Sequence, residues 1–269
     1  HEGEELLPCW EAIFSMRAAA GCSLMACSKK YCADGIHENP HDAPWTQVVG
    51  CLCCERELVL TFVGGEEERR RLLCISECDF DDSAETHLQM LQLIYATLTG
   101  EEESERYGQH WTRVGWQGED PATDLRACGL LGLLLPISML CDHHELARAI
   151  FVQSRTDAEA KSMPNGRHFP MMATSLSFTL ECKQQLRAGT LNALMNAKSS
   201  VGQVLTDFFS AMWFEFLKLV HVDPTKLVPE ILPKVTSAAR KAPLRLVRAF
   251  NRDIKREEVR ARYFRGTPL

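Results

Sequence analysis

Between Val201 and Val220 the chain sets Val201, Val204, Leu205, Phe208, Met212, Phe216 and Val220 in the three-and-four rhythm of a helix with a buried stripe. Such a helix holds its shape only if other elements cover that stripe, so the rest of the chain has to supply partners. It does so with further helical patterns. Asp82, with Glu85 three residues on, reads as the cap of a helix over residues 83–99. Leu88, Leu91, Tyr95 and Leu98 share one face of it, and Gly100 is its stop. Leu176, Leu180, Leu186, Leu191 and Leu194 mark a helix over residues 176–197, with Gly189 as its weak point. The chain therefore reads as predominantly helical.

The remaining segments are less regular. Residues 1–20 have a helical pattern, and residues 21–44 are rich in Cys, His, Asn, Asp and Pro, as a loop is. The run Glu66-Glu67-Glu68-Arg69-Arg70-Arg71 reads as a solvated face. Asp223-Pro224 opens a new segment, punctuated by Pro229 and Pro233, and a last helix is expected from Pro243 to Phe264. From Lys234 onward there are eleven Lys/Arg against three Asp/Glu, although the whole chain has a net charge of −6. That overall charge argues against a nucleic-acid-coating protein. The organisation expected is an extension over 1–81, partly helical and Cys-rich, a core over 82–222, and a basic helical segment over 223–269.

The longest apolar run, Ala127 to Cys141, contains Pro136 and two glycines and falls short of the ~20 residues a membrane span needs. Phe208 to Val220 is interrupted by Glu215 and Lys218, and both runs read as buried helices. No secretory-signal pattern is read at the N-terminus, so the twelve cysteines are expected as reduced thiols of a cytoplasmic protein. One spacing stands out. Cys51-x2-Cys54 and Cys74-x3-Cys78, separated by 19 residues, come close to a four-thiolate zinc pattern, with residues 58–65 as a strand and turn between them. The competing reading, plain thiols without metal, is preferred. His143-His144-Glu145 lacks the second histidine of a zinc protease, since Arg148 stands there. His37 and His41 near Cys32 read as loop residues.

The segment with most chemistry runs from Trp111 to Arg126: Trp-Thr-Arg-Val-Gly-Trp-Gln-Gly-Glu-Asp-Pro-Ala-Thr-Asp-Leu-Arg. Asp120-Pro121 has the form of a helix cap and first turn, with Thr123 and Asp124 able to meet the free amides there. Arg126 follows, in the early turns of an apolar helix expected over 125–135, with Cys128, Gly129 and Gly132 as its small face and Pro136 as its end or kink. An arginine on so apolar an element has two readings. It forms an internal salt bridge with Asp120 or Asp124 that pins the loop, or it has work at the surface.

This segment resembles the signature of the ELMO-domain (engulfment and cell motility) family, W-x3-G-F-Q-x2-D-P-x-T-D-F-R-G-x-G. Trp111, Gly115, Gln117, Asp120, Pro121, Thr123, Asp124, Arg126 and Gly129 match it. Trp116 replaces the usual Phe, Leu125 is a tolerated variant and Ala127 replaces Gly. Phe169-Pro170 and the helix that follows also resemble the family, and the likeness extends over residues 82–220, about half the chain. The resemblance implies an all-α fold, a compact helical ELMO domain, and work on small GTPases. Its ELMO-domain-containing branch comprises GTPase-activating proteins for Arf and Arf-like GTPases, linked to the arginine that Arg126 matches. A guanidinium supplied in trans stabilises the charge that builds on the phosphoryl oxygens, by about 10³–10⁵ in rate. Arginine suits this because it stays protonated and presents a planar fork.

On this reading the chain needs no cofactor of its own, since GTP and magnesium belong to the partner GTPase, and the sequence contains no Gly-x4-Gly-Lys-Ser/Thr loop. Asp120 and Asp124 would orient the turn or hold Arg126 until docking, with Arg113 the next candidate. Trp111, Gly115, Gln117 and Pro121 would shape the segment, and these with Asp120, Thr123, Asp124 and Gly129 are the residues expected to bind the GTPase or to complete the motif. Ala127 is expected to reduce or alter activity rather than abolish it. The alternative is a non-catalytic scaffold, like the family branch that partners DOCK-type exchange factors and departs from the signature at the arginine. The basic tail has two readings as well: a helix docked on the acidic body, or a peripheral contact with an anionic membrane.

Overall fold

The computed structural model describes residues 59–101, 105–159, 169–222 and 228–264. Among them there is no strand. The helices are α1 (Gly65–Ile75), α2 (Glu85–Thr99), α3 (Leu131–Asp142), α4 (His144–Glu159) and α5 (Met171–Ala188). They continue with α6 (Asn192–Lys198), α7 (Val201–Val222), α8 (Val228–Lys241), α9 (Pro243–Asp253) and α10 (Glu257–Tyr263). Two short 3-10 helices, Gln109–Val114 and Pro121–Ala127, lie between α2 and α3. The all-α expectation is met.

The centre is α7. All seven residues of its predicted stripe are buried, and so are Phe209, Ala211, Trp213, Phe214 and Leu217 on its other sides. It is surrounded by α1, α3, α4, α5, α6, α8 and α9. Phe169, Phe178, Trp213 and Phe216 meet around it with ring centroids 5.0–6.3 Å apart, four of the five contacts edge-on. Its N-terminus, where backbone amides have no helical partner, is capped from another helix. The Glu68 carboxylate accepts from the Val201 amide at 3.0 Å and the Gly202 amide at 2.8 Å. The charge block over 66–71 is thus only partly a solvated face. Glu67, Arg70 and Arg71 are exposed and paired among themselves, whereas Arg69 is buried and donates to the Arg187 carbonyl. The α1 helix, N-terminal to residue 82, belongs to this core: Leu72 and Ile75 are buried against it.

Several local expectations are corrected. The α2 helix starts after Ala84, with no cap from Asp82, because the Asp82 carboxylate is taken by Arg106. Gly100 ends it in the left-handed region, as expected. The long helix over 176–197 is two helices: Gly189 adopts φ 67 and closes α5, and α6 begins at Asn192. Pro136 does not end α3, the first of the two expectations for it, but lies inside it, in a helix buried from Leu131 to Leu140. Pro229 and Pro233 likewise fall within α8. Residues 59–64 contain no strand. The expected helix over 1–20, the loop over 21–44, Asp223-Pro224, and Cys51, Cys54, Cys32, His37 and His41 lie outside the described residues.

The basic tail does not form one helix. It breaks over Ile254–Arg256 into α9 and α10, which lets α10 fold back onto the body. Arg260 pairs with Glu145 on α4, Tyr263 stacks edge-on against Phe214 and His221, and Phe264 is buried. On α9, Val247 and Phe250 are buried against α7. Arg240 of α8 reaches the buried Glu181 of α5 at 2.6 Å. The reading of the tail as a docked element therefore holds.

A second buried polar link of the tail is Asp207 of α7. It accepts from Asn251 of α9 at 2.9 Å and from Lys198, with His143 3.6 Å away and Gln203 one turn back. Burial alone would raise its pKa, but the neighbouring His143, the bonds from Lys198 and Asn251 and the Lys198 charge outweigh it and hold the value down to about 2. A depressed carboxylate pKa stabilises the fold above its ordinary value of 3.8, and that contribution fades as pH falls toward about 2. Asp207→Ala is expected to cost about 3 kcal/mol near neutral pH, because it strands buried donors. Urea unfolding followed from pH 6 downward checks both statements. The difference between the native chain and Asp207→Asn should shrink between about pH 4 and pH 2, and a difference that stays constant would contradict the account.

Candidate functional site

Arg126 sits near the end of the Pro121–Ala127 3-10 helix, not in a continuous apolar helix over 125–135. The axes of that turn and of α3 differ by 101°, so the chain makes a corner just after Arg126. The corner is fixed by Gly129, at φ 51, where a Cβ would lie 2.7 Å from the Cys78 carbonyl oxygen. The Leu130 amide donates to that same carbonyl at 3.0 Å. Leu125 points inward and is buried, while Arg126 and Ala127 are exposed.

Both ends of the turn are held. At its start the Asp120 carboxylate accepts from the Ala122 amide at 3.0 Å, with Pro121 buried in the first turn, so the sequence-predicted cap is present. The Thr123 hydroxyl donates to the Asp120 carbonyl at 2.8 Å. The Asp124 carboxylate accepts from the Gln117 amide at 2.9 Å and ties the turn to the preceding loop. At the far end Lys183 of α5, itself buried, donates to the Ala127 carbonyl and the Ser76 carbonyl, each at 3.2 Å, and pairs with Glu77 at 2.7 Å. Cys128, next in the chain, donates to the Leu176 carbonyl, and burial pushes its thiol pKa up to about 11.

The internal salt bridge expected as one reading of Arg126 is absent. Asp120 pairs with Arg106 at 2.8 Å, and Asp124 is engaged by a backbone amide. Among the described residues no ion pair or hydrogen bond holds the Arg126 guanidinium. Asp120 and Asp124 orient the turn but do not hold Arg126. Arg113, the second candidate, differs: it pairs with Glu101, whose other oxygen accepts from the Tyr95 hydroxyl. That pairing, with the first contribution from the Glu101 bond, raises the Arg113 pKa.

Arg106 is the organising residue that the sequence reading missed. Its guanidinium lies between the Phe80 and Tyr107 rings, 4.6 Å and 4.4 Å from their centroids, and bridges Asp82 and Asp120. Its carbonyl accepts from the Trp111 indole at 3.1 Å. Nothing in the local pattern announces this, because its partners come from two distant stretches. Lys183 was missed too, although its position two turns beyond Leu176 placed a cation on that helix's apolar stripe.

The remaining signature residues serve the scaffold. Trp111 is buried against Tyr95 and His110. Trp116 is buried and its indole N–H has no partner among the described residues. Gly115 adopts φ 95, and a Cβ there would lie 2.3 Å from the Met171 backbone nitrogen. Its carbonyl accepts from the Ala173 amide, which satisfies a free donor at the start of α5. The Gln117 side chain and Thr123 are exposed beside the turn. The thiols divide differently. Cys74 and Cys78 are both buried, with the Cys78 thiol donating to the Cys74 carbonyl, and no metal-holding cluster occurs among the described residues. Among those residues also, no single helix is long and apolar enough to cross a membrane.

Gly115→Ala is expected to cost about 3 kcal/mol, from the left-handed backbone and the collision together. Ala127→Gly, at an exposed position, should cost less than about 1 kcal/mol. Thermal unfolding of the two variants distinguishes them, and equal midpoints would contradict the close approach at Gly115.

A profile of the ELMO/CED-12 family matches residues 70–222. ELMO domain-containing protein 3 of Homo sapiens is 34% identical over 190 residues, which is 68% of this chain and 47% of that protein. The protein of the same name from Bos taurus is 33% identical over 193 residues, 69% of this chain and 48% of its own length. Ankyrin repeat and ELMO domain-containing protein D of Dictyostelium discoideum is 21% identical over 184 residues, 61% of this chain and 14% of that protein. The chain thus spans about half the length of the mammalian relatives it matches. No solved structure matches.

Proposed function

From the premise that this chain belongs to the ELMO/CED-12 family, we propose that it accelerates GTP hydrolysis by a small GTPase of the Arf or Arf-like class. Arg126 is the group it supplies to the partner's nucleotide. Small-GTPase signalling is the general setting of the family. The observation that carries the finer reading is the contrast at the turn. Its backbone is clamped by Asp120, Asp124 and Lys183, yet the guanidinium it displays is exposed and engaged by no residue described. The rigid base leaves only the side chain's own rotamer freedom to be lost when the guanidinium meets a phosphate.

In the proposed reaction the partner binds GTP and magnesium and positions the water. As the bond to the γ-phosphoryl group loosens, negative charge grows on its oxygens. Arg126 enters from outside and donates its planar fork of N–H groups to those oxygens. No cofactor is needed on this chain. Gln117, Thr123 and Ala127 are exposed on or beside the same turn and would touch the partner rather than the nucleotide. The methyl group that Ala127 adds faces solvent, so it alters the fit of the partner without disturbing the turn. Such work would be done in the cytoplasm or at the cytoplasmic face of a membrane.

The second reading, a non-catalytic scaffold for an exchange-factor complex, does not require an exposed arginine on a clamped turn. Single-turnover GTP hydrolysis by a panel of Arf-family GTPases, with and without the chain, separates the two. Acceleration is expected for at least one member. Arg126→Lys should lower it by about 100-fold or more, because a point charge cannot replace the fork, while thermal midpoint and GTPase affinity stay the same. Unchanged activity would move the role elsewhere, with Arg113 first in line. No acceleration of any member, together with capture of an exchange factor, would establish the scaffold.

A further inference from the structure

We propose that the outer face of α9 is a docking surface for an anionic lipid bilayer. Arg245, Arg248 and Arg252 stand at i, i+3 and i+7 on this helix, so they share one face, and all three are exposed. Lys241 and Lys255, also exposed, prolong the row at either end. The opposite face is committed: Val247 and Phe250 are buried against α7, and Asn251 is bonded to Asp207. The helix is therefore fixed in rotation, and its cationic side can only face outward.

The charge balance selects the occupant. Residues 241–256 contain six Lys/Arg and one Asp, whereas the whole chain has a net charge of −6. Arg245, Arg248, Lys241 and Lys255 have no ion pair among the described residues, and Arg252 shares Asp253 with Arg256. The cations of α10 contribute less, since Arg260 is paired with Glu145 and Arg262 lies over Tyr263. The seat is thus α9 with its two flanks, not the whole tail.

A one-sided row of long cations on a helix half sunk in the fold meets a plane better than a groove. A nucleic-acid groove takes a helix that projects, with both flanks free, and α9 does not project. Leu244 and Ile254, half-buried at the margins, add apolar surface at the level where headgroups meet acyl chains. Attraction of this kind is additive over the cations and vanishes beyond the screening length. The surface belongs to this chain alone and does not rest on the GTPase reading.

Vesicle co-sedimentation of the full chain tests it, with pure phosphatidylcholine and with phosphatidylcholine containing phosphatidylserine, at about 0.1 M and about 1 M salt. Binding is expected only to the anionic vesicles and only at the lower salt. R245E/R248E/R252E should lower it by about tenfold or more. R245K/R248K/R252K, which keeps the charge, and R70E/R71E, which changes the same kind of charge on α1, should retain it. If the reversed chain does not fold, R245Q/R248Q/R252Q has the same expected loss. Binding that survives the reversal or ignores lipid charge, no binding at all, or loss of nucleic-acid binding in place of vesicle binding would each overturn the proposal.

Discussion

A helix buried on every side has to be covered on every side, and residues 204–214 of α7 impose that demand on the rest of this fold. Its apolar residues extend around the whole circumference, so no single partner satisfies it. Seven helices close around it, and burial of this apolar area is the main source of their stability. The short helices, marginal alone, are held because they pack here. Three carboxylates help to fix this core in one arrangement: Glu68 at the start of α7, Asp207 along it, and Glu181 on the neighbouring α5. Each joins elements far apart in sequence.

The Pro121–Ala127 turn inherits its rigidity from that core. Helix α5 packs on α7 through Phe178 and places Lys183 under the end of the turn. The start of α5 receives Gly115 at a distance that admits no side chain. Asp120 closes the other end, and Arg106 stands behind Asp120 between two aromatic rings. Leu125 is the apolar anchor that seats the turn, and the next residue, Arg126, is left on the outside. The polar side chains nearest to Arg126 in sequence are all occupied in holding backbone. That division of labour leaves a guanidinium without an internal partner, although two carboxylates lie within six residues of it.

Local pattern made α7 and the end of α2 legible, because the first depends on the spacing of apolar residues and the second on one glycine, Gly100. Cap chemistry also made the start of the turn legible, since Asp120 and Pro121 act within three residues. What stayed hidden involves distance. Asp82 has the form of a cap, but Arg106 competes for it and wins with two aromatic faces as support. The charge block over 66–71 looks solvated until α7 arrives and needs an acceptor for its first amides. The tail reads as one helix because no glycine or proline interrupts it, yet the pull of Arg260 toward Glu145 and of Tyr263 toward Phe214 bends it at Ile254. A salt bridge for Arg126 was reasonable from neighbours alone, and it fails because each neighbour has a nearer obligation.

The central claim is that this turn exists to present Arg126 to a partner's phosphoryl group. The most direct measurement is the structure of the chain bound to an Arf-family GTPase loaded with GDP, magnesium and aluminium fluoride, which imitates the phosphoryl group in flight. The account predicts the Arg126 guanidinium at hydrogen-bond distance from the fluoride, with the bonds of Asp120, Asp124 and Lys183 unchanged from the free protein. Arg126 turned to solvent at a formed interface, or another side chain of this protein in its place at the fluoride, would contradict it.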